Sequence, residues 1–239
     1  MEMLKFLFIS FLNNLPRLYK ILHGNSSFHW LRYSCKTLTF GNRNASFTVN
    51  PSVIKSSDIV YSFGIGTDIS FDLQLINLYG LKVFAFDPTP KSIEWLSKQK
   101  LPENFKAFPL GIANYSGEAD FFLPKNENYV SASMTSRQSD SFVRVKVKTL
   151  ADIAKELGHT TIDILKMDIE GAEYDVIDDI LKSDIKIHQL LIEFHHRFHP
   201  EGSNITRSAI KKLKQSGFLL FYVSQNGEEF SFIKPDFNR

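Results

Sequence analysis

Cysteine is almost absent from this chain of 239 residues, which contains only Cys35. One thiol cannot form an intramolecular disulfide, and without a cysteine pair or a Cys/His cluster a structural zinc site is disfavoured. Both absences are typical of a protein in a reducing compartment. We therefore expect a cytoplasmic location.

Long apolar runs are also missing. No run approaches the roughly 20 residues that a membrane-spanning helix needs. Residues 4–12 (LKFLFISFL) resemble a short signal sequence, but Asn13 and Asn14 follow them in place of a small-residue cleavage site. We expect neither secretion nor a membrane span.

Neither sign of charge is in large excess, because 28 Lys and Arg stand against 26 Asp and Glu. The balance, with 43% hydrophobic residues, excludes disorder, collagen and coiled coil. The charge is nevertheless uneven: residues 1–57 carry seven basic residues and one acid, Glu2, for a net +6, and residues 58–239 sum to −4. We predict a basic, aromatic N-terminal helical or arm segment over 1–57 and one large domain over 58–239.

Residues 4–22 are rich in Phe, Leu and Ile, with Arg17 and Lys20 among them. We expect a helix there, packed on the core or on a second copy in a homodimer. The alternative is peripheral membrane association of residues 1–22 through anionic lipid. No nucleic-acid motif is present, so we expect no nucleic-acid partner.

From Asp58 onward, apolar runs alternate with helical patterns, which predicts a doubly wound α/β fold with a mostly parallel sheet. The Asn226-Gly227 pair predicts an antiparallel hairpin near the end of the chain. A further antiparallel pair at 117–123 and 143–148 encloses a long polar loop at 124–141. The predicted strands are 58–63, 82–87, 105–110, 162–167 and 189–194, and the predicted helices are 69–79, one starting at Pro90, 149–157, 170–181 and 206–217.

A glycine turn follows the first predicted strand, with the sequence Phe63-Gly64-Ile65-Gly66-Thr67-Asp68. Two glycines allow a tight turn and close approach of the backbone to a ligand. The dinucleotide fingerprint G-x-G-x-x-G is incomplete because Ile69 stands at the third glycine position, which disfavours a pyrophosphate cofactor.

Asp87 ends the second predicted strand, about twenty residues beyond the glycines, where a carboxylate can accept hydrogen bonds from ribose hydroxyls. The alternative is a helix cap before Pro88-Thr89-Pro90. An adenosine ligand without pyrophosphate makes S-adenosylmethionine the leading cofactor.

Acids gather after the strand that ends at Met167. Asp168 lies at the carboxyl edge of the predicted sheet, where ligands bind in open α/β folds, and Glu170 and Glu173 begin the next helix. The alternative for Glu173 is a surface acid that favours the helix dipole.

With these motifs the chain resembles the FkbM family of S-adenosylmethionine-dependent methyltransferases over about 58–193. The run Leu165–Glu173 (LKMDIEGAE) is the most distinctive, with support from Phe86-Asp87-Pro88, Gly111-Ile112-Ala113 and Ser116-Gly117. Two departures stand out: Ser62 replaces the family's usual acid before the glycines, and Asp87 stands where many members have Glu.

The resemblance implies a class I methyltransferase fold, a Rossmann-like sheet with a C-terminal antiparallel hairpin strand. It also implies O-methylation, often of a saccharide or another hydroxylated acceptor, by direct SN2 transfer. We expect Asp68 to replace the lost acid in orienting the methionine ammonium. The residues predicted to bind the cofactor are Phe63, Gly64, Gly66, Asp68, Asp87, Pro88, Gly111, Ile112 and Asp168.

Histidines follow the last parallel strand, in Glu193-Phe194-His195-His196. We predict His195 as a general base, neutral near pH 7, with Asp168 and Glu193 as the other catalytic residues and no metal. His196, Ser131 and Ser133 are predicted to bind the acceptor. The alternatives are solvated loop histidines, or a divalent cation held by Asp168, Glu193 and a histidine.

Two other functions are open at this point. A nucleotide-dependent oxidoreductase would use the same glycine turn and Asp87. A non-catalytic module that binds a nucleotide or S-adenosylmethionine is compatible with Ser62.

Overall fold

A computed structural model describes residues 29–123 and 141–235. The predicted N-terminal helix at 4–22, most of the polar loop, and the predicted acceptor-binding residues Ser131 and Ser133 lie outside these ranges. Within the described ranges no helix has the length and apolar character needed to cross a membrane.

The strands form one large sheet and two small ones, so the predicted α/β class is confirmed. The strands are β1 Leu38–Phe40, β2 Phe47–Val49, β3 Ile59–Phe63, β4 Lys82–Phe86, β5 Phe105–Phe108, β6 Gly111–Ile112, β7 Gly117–Phe122, β8 Phe142–Lys148, β9 Thr161–Met167, β10 Lys186–Glu193, β11 Leu219–Val223 and β12 Glu229–Ile233. The seven-stranded sheet has the order β11-β12-β10-β9-β3-β4-β5, and β12 runs in the direction opposite to the other six strands, as the hairpin predicted.

Five α-helices and two short 3-10 turns cover the sheet in the described part of the chain. The predicted cap at Thr149 is confirmed, because its side chain accepts a hydrogen bond from the Asp152 backbone N–H. The helices are α1 Ser70–Tyr79, α2 Pro90–Leu96, α3 Leu150–Leu157, α4 Glu173–Ile180 and α5 Ser203–Gln215, and the 3-10 turns are Pro51–Val53 and His196–Phe198.

The core lies on both faces of the large sheet because successive side chains of a strand point to opposite faces. Tyr61 and Phe63 of β3 belong to the cluster that packs against α3, α4 and α5. Val60 of the same strand belongs to the other cluster, with α1, α2 and Phe47 of β2.

Two sequence-based boundaries are wrong for identifiable reasons. The strand predicted at 105–110 ends at Phe108, just before Pro109, and the next strand, β6, joins β8 in a separate small sheet. The helix predicted to start at Glu170 starts at Glu173, because Glu170 has φ 53° and Gly171 has φ 106°, both in the left-handed region.

The described part of the predicted arm contains the antiparallel hairpin of β1 and β2. The side chains of Phe47 and Val49 are buried, and the Asn50 backbone N–H donates to Gln189 Oε1 at 2.8 Å. Before the hairpin, the backbone N–H groups of Arg32 and Tyr33 both donate to Leu220 O of the edge strand β11. This segment therefore packs against the large sheet.

Candidate active site

The glycine turn after β3 is pressed against the chain that leaves β9. Gly64 has φ 74°, and a Cβ atom added there would lie 1.6 Å from the backbone oxygen of Asp168. Only glycine fits this position, for reasons of both space and backbone conformation. The turn and Asp168 therefore form one rigid unit at the carboxyl edge of the sheet.

One cavity of about 190 Å³ opens at this unit, and we call it the cofactor pocket. All residues predicted to bind the cofactor line it, from Phe63 and Gly64 to Asp168. The sequence did not point to several other lining residues, which are Asn44, Ala45, Thr89, Phe121 and Lys166.

Asp87 lies next to Gly66 of the glycine turn, and its residue surface is 5% exposed. Its Oδ2 accepts a hydrogen bond from the Gly66 backbone N–H at 2.9 Å, and its Oδ1 accepts from Thr89 N at 2.9 Å and Thr89 Oγ1 at 2.6 Å. Each carboxylate oxygen offers two lone pairs, so Oδ2 can accept one further hydrogen bond from a ligand without losing a present partner.

Asp68 lies at the mouth of the cofactor pocket, held by two neighbours. Its Oδ1 accepts from the Ser70 backbone N–H at 2.8 Å, and its Oδ2 accepts from Asn42 Nδ2 at 2.9 Å. Partial burial alone would raise the pKa of Asp68, but these hydrogen bonds outweigh it and hold the pKa below its usual value. Asp68 is thus a carboxylate at neutral pH, suited to a cationic group.

A buried lysine holds the glycine turn through a hydrogen bond to its backbone. Lys166 is 4% exposed, and its Nζ donates to Gly64 O at 2.9 Å and lies 5.0 Å from the centroid of the Phe47 ring. A lysine in the middle of a buried strand is unusual, and that was the only sequence signal for this role.

Asp72 of α1 is the buried acid that balances Lys166. Burial raises the pKa of Asp72 to about 6, while the charge of Lys166 and the nearby Ser62 hydroxyl partly oppose the shift. Ser62 Oγ and Asp72 Oδ1 nevertheless lack a hydrogen bond of good geometry. Asp72 therefore supplies a negative charge beside the position where the family's usual acid is replaced by Ser62.

Four carboxylates surround one histidine next to the cofactor pocket, and we call Asp168, Glu170, Glu173, Glu193 and His195 the carboxylate–histidine cluster. Asp168 follows β9, and Glu193 ends the neighbouring parallel strand β10. The register pairs Met167 with Ile192, so Asp168 and Glu193 emerge side by side. The left-handed turn at 170–171 then places Glu170 and Glu173 on the same histidine.

The His195 ring is 1% exposed and contacts a carboxylate through each nitrogen. Nδ1 donates to Glu173 Oε1 at 2.7 Å. Nε2 lies 3.4 Å from Glu170 Oε2, 3.5 Å from Glu193 Oε1 and 3.7 Å from Asp168 Oδ1. Glu173 is 0% exposed, and its Oε1 also accepts from the backbone N–H groups of Ile169 and Gly171.

These charges correct the predicted protonation state of His195. Burial alone would lower the pKa of His195, but the Glu173 carboxylate, followed by Asp168 and Glu170, raises it to about 10. The prediction that the ring is neutral near pH 7 is wrong for the chain by itself, and the interpretation of His195 as a solvated loop residue is wrong as well. Burial, with the charge of Asp168, raises the pKa of Glu193 to about 9.

One further sequence-based interpretation changes. Glu173 is no surface acid, since it is fully buried and holds His195. His196 is 9% exposed at the start of a 3-10 turn and does not line the cofactor pocket, and its binding of the acceptor stays a prediction.

Comparisons with known proteins agree with this geometry. The family model described as the methyltransferase FkbM domain matches residues 58–227. A human protein described as probable methyltransferase-like protein 24 is 28% identical over 174 residues, which cover 68% of this chain and 42% of that protein. The rat protein of the same description is 26% identical over 189 residues, or 74% of this chain and 46% of its own length. The chain therefore spans less than half the length of these relatives.

A solved structure shows the same fold. The fibrillarin pre-rRNA processing protein of Methanococcus jannaschii superposes with a TM-score of 0.50 at 13% identity, covering 79% of this chain and 70% of that chain. At this identity the likeness concerns the fold alone, and it confirms the predicted class I methyltransferase architecture.

Proposed function

Because the chain belongs to the FkbM methyltransferase family, we propose that it transfers a methyl group to a hydroxyl oxygen of a saccharide or a similar hydroxylated acceptor. The methyl donor of this family is S-adenosylmethionine. One observation carries the proposal: Asp168 belongs both to the cofactor pocket and to the carboxylate–histidine cluster.

The two ends of the cofactor pocket suit the two ends of the donor. In the proposed complex, Asp87 accepts a hydrogen bond from a ribose hydroxyl at Oδ2, and Asp68 faces the ammonium of the methionine part. The glycine turn between them leaves the backbone open to the ligand. The methyl group then lies toward the edge of the sheet where Asp168 stands.

The reaction is a displacement in which the donor already carries the activated group. A lone pair of the acceptor oxygen attacks the methyl carbon, a C–O bond forms, and the C–S bond breaks with its electron pair going to sulfur. The products are the methyl ether and S-adenosylhomocysteine. The hydroxyl proton must leave the acceptor, so positioning and proton acceptance are the tasks of the protein.

The proton acceptor that we propose is Asp168. An imidazolium has no lone pair to accept a proton, so His195, predicted as the base, must first lose one. Asp168 is a carboxylate that lines the cofactor pocket, with a side chain 21% exposed. His195 does not take the proton in this proposal. It is the charged group whose contacts hold Asp168, Glu173 and Glu193 in place.

The test uses S-adenosylmethionine carrying a 13C methyl group, offered with oligosaccharides, glycolipids and small polyols. We expect a new carbon signal in the methoxy region of the NMR spectrum, which is lost in the Asp168→Asn variant. The Glu94→Gln variant serves as a control because the Glu94 side chain is exposed on α2 and pairs with its helix neighbour Lys98. Labelled methyl groups found only on nitrogen or carbon atoms of an acceptor would overturn the O-methyl assignment.

A further inference from the structure

We propose that Asp168, Glu193 and His195 bind a divalent cation at the border of the cofactor pocket, and that this cation holds the acceptor hydroxyl. The role in the reaction rests on the function proposed above, whereas the cation site itself rests on geometry. This assignment reverses the sequence-based expectation that no metal takes part.

The distances from His195 Nε2 to the two acids have the spacing that a shared small cation requires. Asp168, Glu193 and His195 each offer one ligand atom, and these atoms all lie within 4.8 Å of one another. Donors about 2.1 Å from a shared ion are separated by about 3.0–4.2 Å, depending on the coordination geometry. His195 Nε2 lies 3.5 Å from Glu193 Oε1 and 3.7 Å from Asp168 Oδ1, within that span.

The orientation of the His195 ring is an independent observation that points to a ligand. Nδ1 donates to Glu173 Oε1 at 2.7 Å, so Nε2 is the nitrogen directed at the acids. Nε2 faces oxygens of Asp168, Glu170 and Glu193 at 3.4–3.7 Å, and these contacts are longer than the 2.7 Å hydrogen bond of Nδ1. A metal-binding histidine is commonly held in this manner by a carboxylate on its other nitrogen.

Glu173 is itself firmly held in that supporting position. It is 0% exposed, and backbone N–H groups of Ile169 and Gly171 donate to the same oxygen that binds His195. This arrangement fixes the ring plane and keeps a proton on Nδ1, so a bound cation would displace the proton that Nε2 carries when the ring is charged. The left-handed turn at Glu170 and Gly171 makes these contacts possible.

The charge of the cluster also favours a cation. Among the described residues, no Lys or Arg forms an ion pair with Asp168, Glu173 or Glu193. His195 is the only basic side chain paired with them there. A divalent ion would balance carboxylates that are otherwise crowded together at low exposure.

Two carboxylate oxygens and one imidazole nitrogen form a mixed donor set. Oxygen ligands suit Mg²⁺, Ca²⁺ and Mn²⁺, and imidazole suits first-row transition metals, so Mn²⁺ satisfies both preferences. Three protein ligands leave positions open for oxygens of an acceptor. We therefore choose Mn²⁺ as the probe.

The bound cation would act on the acceptor oxygen. A hydroxyl bound to a divalent ion is more acidic than a free one, so its proton passes more easily to Asp168 or to water. The oxygen then forms the C–O bond to the methyl carbon while the C–S pair goes to sulfur. No oxidation or reduction takes place, so the cation keeps its charge throughout.

Electron paramagnetic resonance of free Mn²⁺ tests the site without reference to activity. The full chain, stripped with a chelator, should bind about one Mn²⁺ per chain, and Glu193→Gln and His195→Ala should each weaken binding at least tenfold. Glu94→Gln should bind Mn²⁺ like the unchanged chain. Glu193 is 17% exposed at its side chain, so this variant keeps the proposal testable where His195→Ala does not fold.

Calorimetry with S-adenosylhomocysteine and the 13C transfer assay, each with and without the chelator, separate the two proposals. We expect cofactor binding to survive the chelator and methyl transfer to be lost until Mn²⁺ is restored. Transfer that survives the chelator, or Mn²⁺ binding equal in all variants, overturns the cation site and leaves the O-methyl function intact. Specific Mn²⁺ binding without transfer to any hydroxyl overturns the function and leaves the site.

Discussion

At the scale of single residues, Asp87 holds the glycine turn and is the residue that we propose binds the ribose. Its carboxylate already accepts three hydrogen bonds from Gly66 and Thr89. The sequence offered a helix cap and a ribose contact as alternatives, but one side chain can serve both. The two interpretations are therefore compatible, and the ribose contact stays a prediction.

Replacing Asp87 by Ala should weaken S-adenosylhomocysteine binding by about 1–3 kcal/mol, the scale for losing hydrogen bonds to a charged group. Isothermal calorimetry measures the change. Thr89→Val is the matched control, because it removes the Thr89 hydroxyl and keeps the carboxylate. Equal affinity in a folded Asp87→Ala variant would show that Asp87 acts only as a cap.

Asp72 should give the protein an unusual pH dependence. Its pKa is about 6 in the fold, above the ordinary value of 3.8, so the folded chain binds more protons than the unfolded chain between these values. Its contribution to stability is therefore most favourable below pH 4 and is lost as pH rises through about 6.

Urea unfolding of the unchanged chain and of Asp72→Asn at pH 4, 5, 6 and 7 measures this contribution. The free energy of unfolding of the variant should rise relative to the unchanged chain by about 2 kcal/mol from pH 4 to pH 7, the part of the pKa shift that falls in this range. A difference that stays constant with pH would mean that Asp72 is ionised in the fold without cost.

At the scale of elements, two turns determine the position of Asp168 in the site. The glycine turn and the left-handed turn at 170–171 both meet Asp168. Gly64 is where steric demand is greatest, since an added Cβ would lie 1.6 Å from the Asp168 backbone oxygen. Gly80 also has positive φ, 70°, but nothing lies within 4 Å of an added Cβ.

These two glycines allow a matched experiment. Gly80→Ala should cost about 1–2 kcal/mol of stability, the penalty for a side chain in the left-handed region, and leave cofactor affinity unchanged. Gly64→Ala should cost more and abolish S-adenosylhomocysteine binding, because the turn and Asp168 must separate. Thermal unfolding and calorimetry check both variants, and unchanged affinity in Gly64→Ala would contradict the rigid unit.

At the scale of the whole molecule, the βαβ order of the large sheet could be predicted because buried parallel strands read as runs of Val, Ile and Phe. The hairpin of β1 and β2 could not, since its strands have three residues each. Its anchor to Gln189 joins residues 139 positions apart. The charge of His195 could not be predicted either. It depends on Glu170 and Glu173, which reach the ring because the chain makes a left-handed turn at Glu170, a residue that is not glycine.

The hairpin lies before residue 58, where the family match begins, but it completes the core and the pocket. Phe47 and Val49 are 2% and 0% exposed, and Asn42 holds Asp68. A chain starting at residue 58 should therefore lose more than about 3 kcal/mol of stability, the scale for removing one buried Phe. Urea unfolding against a chain starting at residue 29 measures this loss, and equal stability would mean that the hairpin is dispensable.

The double position of Asp168 has a thermodynamic consequence. Its backbone oxygen fixes the glycine turn, and its carboxylate belongs to the carboxylate–histidine cluster, so a ligand in either place acts on the same residue. If occupancy of one place changes the affinity of the other, the change must be equal in both directions, because coupling free energies are reciprocal. In the proposed reaction, binding of the methyl donor would then favour or oppose binding of the acceptor through a single amino acid.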